Sequence, residues 1–283
     1  VSPAAAAGRT VAQCLAGAMA GGVARLDAQL LLGECLGRSR AWLLAHDETA
    51  LTIAQQACFD AWTARRAAGE PFAYIVGHKE FHGLDLWVSP AVLVPRPDTE
   101  TLVDWAIELL QGALAAVDRP QVLDLGTGSG AIALAVKHAV PRADVSALDA
   151  SADALAVAAA NGERLGLPVR WLRSDWWQAL PPGPLHLALS NPPYVAEGDP
   201  HLADLRHEPL QALVAPGQGL DDLQQVIDGA AGRLLPGGWL LLEHGFDQGA
   251  AVRERLAAAG FEAVATRRDL AGQERCSGGR RPV

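Results

Sequence analysis

The chain has 283 residues, half of them apolar, with 23 basic against 32 acidic side chains and a formal charge of −9. That length predicts about two domains with a sizeable core, and the composition excludes a disordered chain. Residues 1–90 carry 7 Lys/Arg against 8 Asp/Glu and residues 91–283 carry 16 against 24, so the larger part repels phosphate backbones and suits a basic protein partner, or serves solubility alone.

Cys14, Cys35, Cys58 and Cys276 are spread along the chain without a C-x-x-C pair. This argues against a zinc site or a disulfide framework and fits free thiols in a reducing compartment. The alanine-rich start, with its Ala4–Ala7 tract, is interrupted by Arg9 and Gln13, which does not fit a secretion signal. No apolar run is long enough for a membrane span. A cytoplasmic protein is expected.

In chain order, residues 8–69 read as helical. Leu26, Leu30, Leu31 and Leu32 suggest a short packed helix. Thr52 caps a further helix whose apolar positions Ile53, Ala57, Ala61 and Trp62 recur at helical spacing, with Gly69 and Pro71 ending it. From Phe72 the pattern changes. Leu84, Leu86 and Val88 alternate with Asp85 and Trp87 between the turn residues Gly77 and Gly83, which predicts a β-hairpin. A helix opens near Asp98, with Leu102, Val103, Ala106, Ile107 and Leu110 on one face. Strands and helices then alternate. Strands are predicted at 121–125, 144–149, 169–172, 185–190 and 239–243. Helices are predicted near 130–140, from Ser151 to Leu165, near 220–234 and near 247–259. Alternating βα units mean a mostly parallel sheet covered on both faces. The expected organisation is a small helical domain at 1–71, a β-hairpin linker at 72–95 and an α/β domain at 96–283.

Asp124-Leu125-Gly126-Thr127-Gly128-Ser129-Gly130 follows the first strand of that domain and opens a helix. Glycines let a ligand approach the backbone, and a helix N-terminus favours polar or anionic groups. Asp149 ends the next strand, where a carboxylate can accept both hydroxyls of a ribose. The pair predicts an adenosine-containing cofactor. Gly126, Gly128 and Ala131 also satisfy a dinucleotide fingerprint, G-x-G-x-x-A, so an NAD-dependent enzyme competes on this motif. The G-x-G-x-G spacing with Asp124 before it leans toward methyl transfer, with Asp124 meeting the amino group of a methionine moiety.

Asn191-Pro192-Pro193-Tyr194 follows the strand at 185–190. In an open α/β sheet, ligands bind beyond the carboxyl ends of strands. The prolines stiffen the turn and lack N–H groups, and Asn191 adds a side-chain carbonyl, so the turn offers acceptors to an NH2 group, with Tyr194 as a flat wall. Asp175-Trp176-Trp177 follows the strand at 169–172, where an acid and an aromatic ring can read and stack an adenine; the alternative is core packing, above all for Trp177. His78 and His82 have helical ligand spacing but sit in a hairpin, which favours a surface or core role over metal binding.

Val92-Leu93-Val94-Pro95-Arg96-Pro97-Asp98-Thr99-Glu100, the glycine loop, Asn191–Tyr194, Leu242-Glu243-His244-Gly245 and Asp269-Leu270-Ala271-Gly272 occur in one order. In this the chain resembles the HemK-type protein-(glutamine-N5) methyltransferases that act on peptide-chain release factors. The resemblance spans nearly the whole sequence and is most specific from 92 to 194. It implies a class I, Rossmann-like methyltransferase sheet of seven strands, the last antiparallel. It implies that Gly126, Thr127, Gly128, Ser129, Gly130, Asp149, Trp176 and Asn191 hold S-adenosylmethionine (product S-adenosylhomocysteine). Asn191, Pro192, Pro193 and Tyr194 would hold the target glutamine, with Asn191, Pro192 and Tyr194 in the catalytic role. A similar family methylates a ribosomal-protein glutamine and shares Asn-Pro-Pro-Tyr, but Arg96-Pro97-Asp98-Thr99-Glu100 favours the release-factor branch. Amino-methylation of adenine in DNA uses the same acceptor logic, and the acidic charge counts against it. No metal, no direct nucleic-acid binding and no membrane are expected. One departure is visible: the family's usual Gly-x-Asp-Gly-Leu run is replaced by Ala215-Pro216-Gly217-Gln218-Gly219-Leu220.

Overall fold

The computed structural model describes residues 8–180 and 183–283; the Ala4–Ala7 tract lies outside them. The chain forms two compact units that divide at Gly77/His78.

The first unit is helical: α1 (Val11–Ala20), α2 (Arg25–Leu36), α3 (Arg40–Ala45), α4 (Ile53–Ala67) and α5 (Phe72–Val76). Thr10 and Thr52 each cap a helix with a reciprocal box closed by Gln13 and Gln55, which satisfies amide donors the first turn leaves open. Leu31, Leu32, Leu43 and Phe59 lie in its core. The helix after Thr52 forms as predicted, but its buried face differs. Ile53 is 79% exposed, whereas Phe59 and Thr63 turn inward. Thr63 is tolerated there because its hydroxyl donates to the Phe59 carbonyl at 2.9 Å. The four cysteines are free thiols. Distant in sequence, Cys35 and Cys58 nevertheless meet across α2 and α4, with sulfurs 3.2 Å apart.

The second unit opens with a hairpin of β1 (His78–Phe81) and β2 (Leu84–Trp87), with Phe81 opposite Leu84. His82 and Gly83 turn it with φ of +48° and +78°, the left-handed pair that a two-residue hairpin favours. Leu84 and Leu86 face inward and Asp85 and Trp87 outward, as the alternation predicts. A 3-10 turn at Pro97–Thr99 leads into α6 (Glu100–Gln111).

Then follow β3 (Gln121–Leu125), α7 (Ala131–Ala139), β4 (Asp144–Asp149), α8 (Ala152–Leu165), β5 (Arg170–Arg173) and β6 (Leu185–Ser190). A two-residue pair, β7 (Val195–Ala196) and β8 (Val214–Ala215), precedes the short turn α9 (Pro216–Gly219) and helix α10 (Asp221–Arg233). The chain closes with β9 (Leu234–Glu243), α11 (Gly249–Ala258), β10 (Glu262–Arg268) and β11 (Glu274–Arg280). Among the described residues these build one seven-stranded sheet of order β10-β11-β9-β6-β3-β4-β5. β11 is antiparallel to β9 and β10, and the other pairings are parallel. The fold is thus α/β with the antiparallel last strand that the resemblance implies. Helices cover both faces over two apolar clusters, one around α6 and α7, the other around α10 and α11.

The chain reverses its direction of travel across the sheet at β3. Leu125 pairs with Leu148 on one side and Ser190 on the other. Gly126, Asp149 and Asn191 therefore leave three adjacent strands side by side, at the carboxyl edge where open α/β sheets bind ligands.

Candidate active site

The glycine loop is pinned to the neighbouring strand. The Gly126 and Thr127 amides both donate to the Leu148 carbonyl at 2.9 Å. Gly126, Gly128 and Gly130 have φ of +72°, +55° and +84°, a region costly for side chains with a Cβ. A Cβ on Gly130 would stand 3.1 Å from Leu134 and Trp171, whereas one on Gly128 would meet nothing within 4 Å. The loop is thus closed beneath and open above. Asp124 lies fully buried and accepts the Thr127 hydroxyl at 2.6 Å. Burial pushes its carboxyl up to about 7. It braces the loop from within and is not among the residues lining the cavity, so the expected contact with a ligand amino group is not what the geometry offers.

Above the loop is a cavity of about 280 Å³. Gly126, Thr127, Gly128 and Ser129 form one side, and Asp149, Ser174, Trp176 and Asp222 another. Asp149 accepts the Gly128 and Ser151 amides at 2.9 Å each, one per carboxylate oxygen. Burial raises its pKa, opposed by those amides. Each oxygen keeps a further acceptor site. Trp176 has φ of +44°, and its ring edge is 3.6 Å from where a Gly126 Cβ would be. An aromatic wall, a carboxylate with spare acceptors and a glycine floor suit a nucleoside with a ribose, so the residues present fit S-adenosylmethionine. Trp177 differs from its neighbour. Its Nε1 donates to the Val226 carbonyl at 3.2 Å, and a Cβ on Gly229 would fall 2.0 Å from its ring. It is a core residue packed on α10.

The Asn191–Tyr194 turn leaves β6 at Ser190, whose hydroxyl donates to the Leu125 carbonyl at 2.7 Å. Asn191 and Pro193 line the same cavity. The Asn191 Nδ2 donates to the Thr99 hydroxyl at 3.3 Å. Pro192 is buried. Tyr194 packs its ring on the cluster around α10 and donates its hydroxyl to Glu243 at 3.3 Å; burial raises its phenol pKa. Pro192, Tyr194 and Gly130 are not lining residues: the turn contributes Asn191 and Pro193 to the wall and roots Tyr194 in the core behind it.

Several contributors carried no strong sequence signal. Asp222, in the first turn of α10, lines the cavity, and burial raises its pKa. Glu208 is buried, accepts the Val94 amide at 3.1 Å and pairs with Arg96. It thereby joins the segment around Pro95 to the one around Pro209, both lining the cavity. His78 and His82 do not share a ligand, since they pair separately with Asp85 and Asp104 at 2.7 and 3.0 Å. In the departing loop, Gly217, Gln218 and Gly219 all have positive φ. A Cβ on Gly219 would stand 2.0 Å from the Tyr194 carbonyl oxygen, so that loop packs directly on the turn. The residues lining the cavity all belong to the second unit.

Residues 8–77 match the family model described as the PrmC N-terminal domain, and residues 99–244 match the methyltransferase small domain. A release factor glutamine methyltransferase of Bordetella pertussis is 53% identical over 261 residues, covering 91% of this chain and 95% of that protein. One from Burkholderia pseudomallei is 49% identical over 266 residues, covering 91% and 92%. Among solved structures, a methyltransferase from Pyrococcus furiosus has the same fold at a TM-score of 0.52 and 21% identity, covering 79% of this chain and all of that one.

Proposed function

The chain belongs to the release factor glutamine methyltransferase family, and from that premise we propose that it transfers the methyl group of S-adenosylmethionine to the side-chain amide nitrogen (N5) of a glutamine in a peptide-chain release factor. The observation that carries this reading is that the glycine loop, Asp149 and Asn191 border one cavity.

The loop residues that line the cavity, Gly126 to Ser129, would hold the cofactor by close backbone approach, with Gly130 closing the loop beneath, Asp149 accepting the ribose hydroxyls and Trp176 stacking the adenine. The bound cofactor supplies a methyl group already activated by its sulfonium. An amide nitrogen is a poor nucleophile because its lone pair is delocalised, so the protein's task is chiefly positioning. The Asn191 Oδ1 accepts from the glutamine NH2, orients it, and offsets positive charge developing on nitrogen. Pro193 and Tyr194 stiffen and anchor the turn. The proton leaves to water after transfer. The expected boundaries at 71 and 95 shift, since Phe72–Val76 is helical and belongs to the first unit while the hairpin at His78–Trp87 belongs to the second; the helical unit serves substrate docking, and the setting is cytoplasmic.

The test is transfer of tritium from labelled S-adenosylmethionine to purified release factor, ribosomal protein and DNA in parallel. Label on release factor alone is expected; label on DNA or ribosomal protein in its place would overturn the reading.

A further inference from the structure

The charges on the cavity wall are unevenly placed. Among the described residues that line it, Asp149, Asp175 and Asp222 are the acids and Arg96 is the one cation. Arg96 belongs to the part of the wall that carries Asn191. It opens the 3-10 turn Pro97–Thr99, and the Thr99 amide donates to its carbonyl at 3.1 Å. The Thr99 hydroxyl in turn accepts from the Asn191 Nδ2 at 3.3 Å. A lone guanidinium there would draw in a carboxylate, its strongest hydrogen-bond partner.

Glu208 cancels that attraction. It reaches Arg96 across 112 positions of sequence, and its side chain is 2% exposed against 37% for Arg96. One carboxylate oxygen accepts from the Arg96 Nη2 and the other from the Val94 amide at 3.1 Å. Both oxygens are therefore engaged. The next residue, Pro209, lines the same cavity, as do Gln211 and Ala212. The pair thus ties two segments of the wall together. Apolar side chains of similar volume would tie them at no greater cost, because burying an ion pair carries a desolvation penalty. What the ion pair adds is chemical. A guanidinium has five N–H donors. With its charge cancelled, the remaining donors serve a neutral carbonyl oxygen without favouring an anion.

We propose that the Arg96–Glu208 pair is a specificity element of the cavity, selecting a side-chain amide over a carboxylate. Arg96 offers donors to the amide, and Glu208 removes the net charge that would favour glutamate. The identity of the amide as a release-factor glutamine rests on the function proposed above; the charge balance of the wall does not.

The probe is the release factor itself, with glutamine or glutamate at the position that accepts the methyl group. Dissociation constants of both forms are measured on full-length protein loaded with S-adenosylhomocysteine. Their ratio is compared across wild type, Glu208→Gln, Arg96→Gln and the double variant. Glu208→Gln keeps an acceptor for the Val94 amide but leaves Arg96 without its counterion. The preference should move toward the glutamate form by about tenfold, the scale of one uncompensated charge about 10 Å away at an effective dielectric constant of about 20. Arg96→Gln leaves the carboxylate instead and should move the preference the other way. Removing both charges should return the ratio to within about threefold of wild type. A tie without a charge role would weaken both forms alike and leave the ratio still. An unchanged ratio in the single variants, or one that the double variant does not restore, overturns the proposal. Should one single variant not fold, the other and the double variant carry the same comparison. Should wild type leave the release factor unmethylated, the functional reading fails, and acetamide and acetate become the probes. Their binding is followed through the Asn191 side-chain NH2 resonance, assigned by its loss in Asn191→Ala, in protein labelled with nitrogen-15. A preference for acetate that emerges in Glu208→Gln supports the role of the pair, and the same preference in all four proteins overturns it.

Discussion

At the scale of single residues, the function proposed above assigns cofactor binding and chemistry to different side chains. Asp149 offers carboxylate acceptors on the cavity wall, its backbone partners already fixing its direction. Asp149→Ala should weaken S-adenosylmethionine binding by about 2–3 kcal/mol, the scale of hydrogen bonds to a charged group. Unchanged affinity by calorimetry would remove Asp149 from the site. Asn191 should behave oppositely. Asn191→Ala removes the acceptor that the proposed mechanism uses in the transition state, a loss that commonly costs about 10²–10³ in rate, and leaves the glycine loop and Asp149 intact. Near-normal methyl transfer by the folded variant would return the turn to a structural role. The buried carboxylates predict a pH effect. Burial pushes both Asp124 and Glu243 up to about 7, from ordinary values of 3.8 and 4.5. Between those limits the folded chain keeps protons that the unfolded chain has released. Their stabilising contribution is therefore complete below about pH 4 and is lost as pH rises through 7. In urea unfolding across that window, Glu243→Gln should gain stability relative to wild type with rising pH, and parallel profiles would contradict the assignment.

At the scale of elements, the sequence was legible where local chemistry decides. Thr52 and Ser151 cap their helices by accepting the Gln55 and Ala154 amides. β4 and β6 span 144–149 and 185–190 as the apolar runs predict. It was less legible where tertiary packing decides. Periodicity put Ile53, Ala57 and Ala61 together on α4, but they stay exposed, because Phe59 supplies the bulk the core takes. β10 and β11 carry arginines and glycines in place of an apolar alternation, so their residue pattern was silent, and the antiparallel strand was expected only through the family resemblance. The site shows the same division. Its glycines and Asn191 are conspicuous in sequence, whereas Glu243, Asp222 and Glu208 become partners only when β9, α10 and the 200–212 segment fold back. Packing also reverses an ordinary rule. Gly→Ala inside a helix usually stabilises by up to about 1 kcal/mol. Gly229 lies within α10, where a Cβ would meet the Trp177 ring at 2.0–2.5 Å. Gly229→Ala should instead destabilise by about 1–3 kcal/mol, the cost of overpacking. A raised unfolding midpoint would show that Trp177 yields freely.

At the scale of the whole molecule, the sheet sets the function. Its change of direction at β3 gathers the ends of β3, β4 and β6, and these carry the glycine loop, Asp149 and the Asn191–Tyr194 turn. The residues lining the cavity belong to the second unit. The acidity of residues 91–283, 16 basic against 24 acidic side chains, disfavours nucleic acid at the catalytic domain. No helix among the described residues is long and apolar enough to cross a membrane. The central claim is that the methyl group arrives on a glutamine side-chain amide of a release factor. Its most direct test is peptide-resolved mass spectrometry of a release factor after incubation with the full-length protein and isotopically labelled S-adenosylmethionine. The expected result is one labelled methyl group on the side-chain nitrogen of one glutamine, absent when Asn191→Ala replaces wild type. Label on any other residue type, or an unmodified release factor alongside a methylated ribosomal protein or DNA, would contradict it.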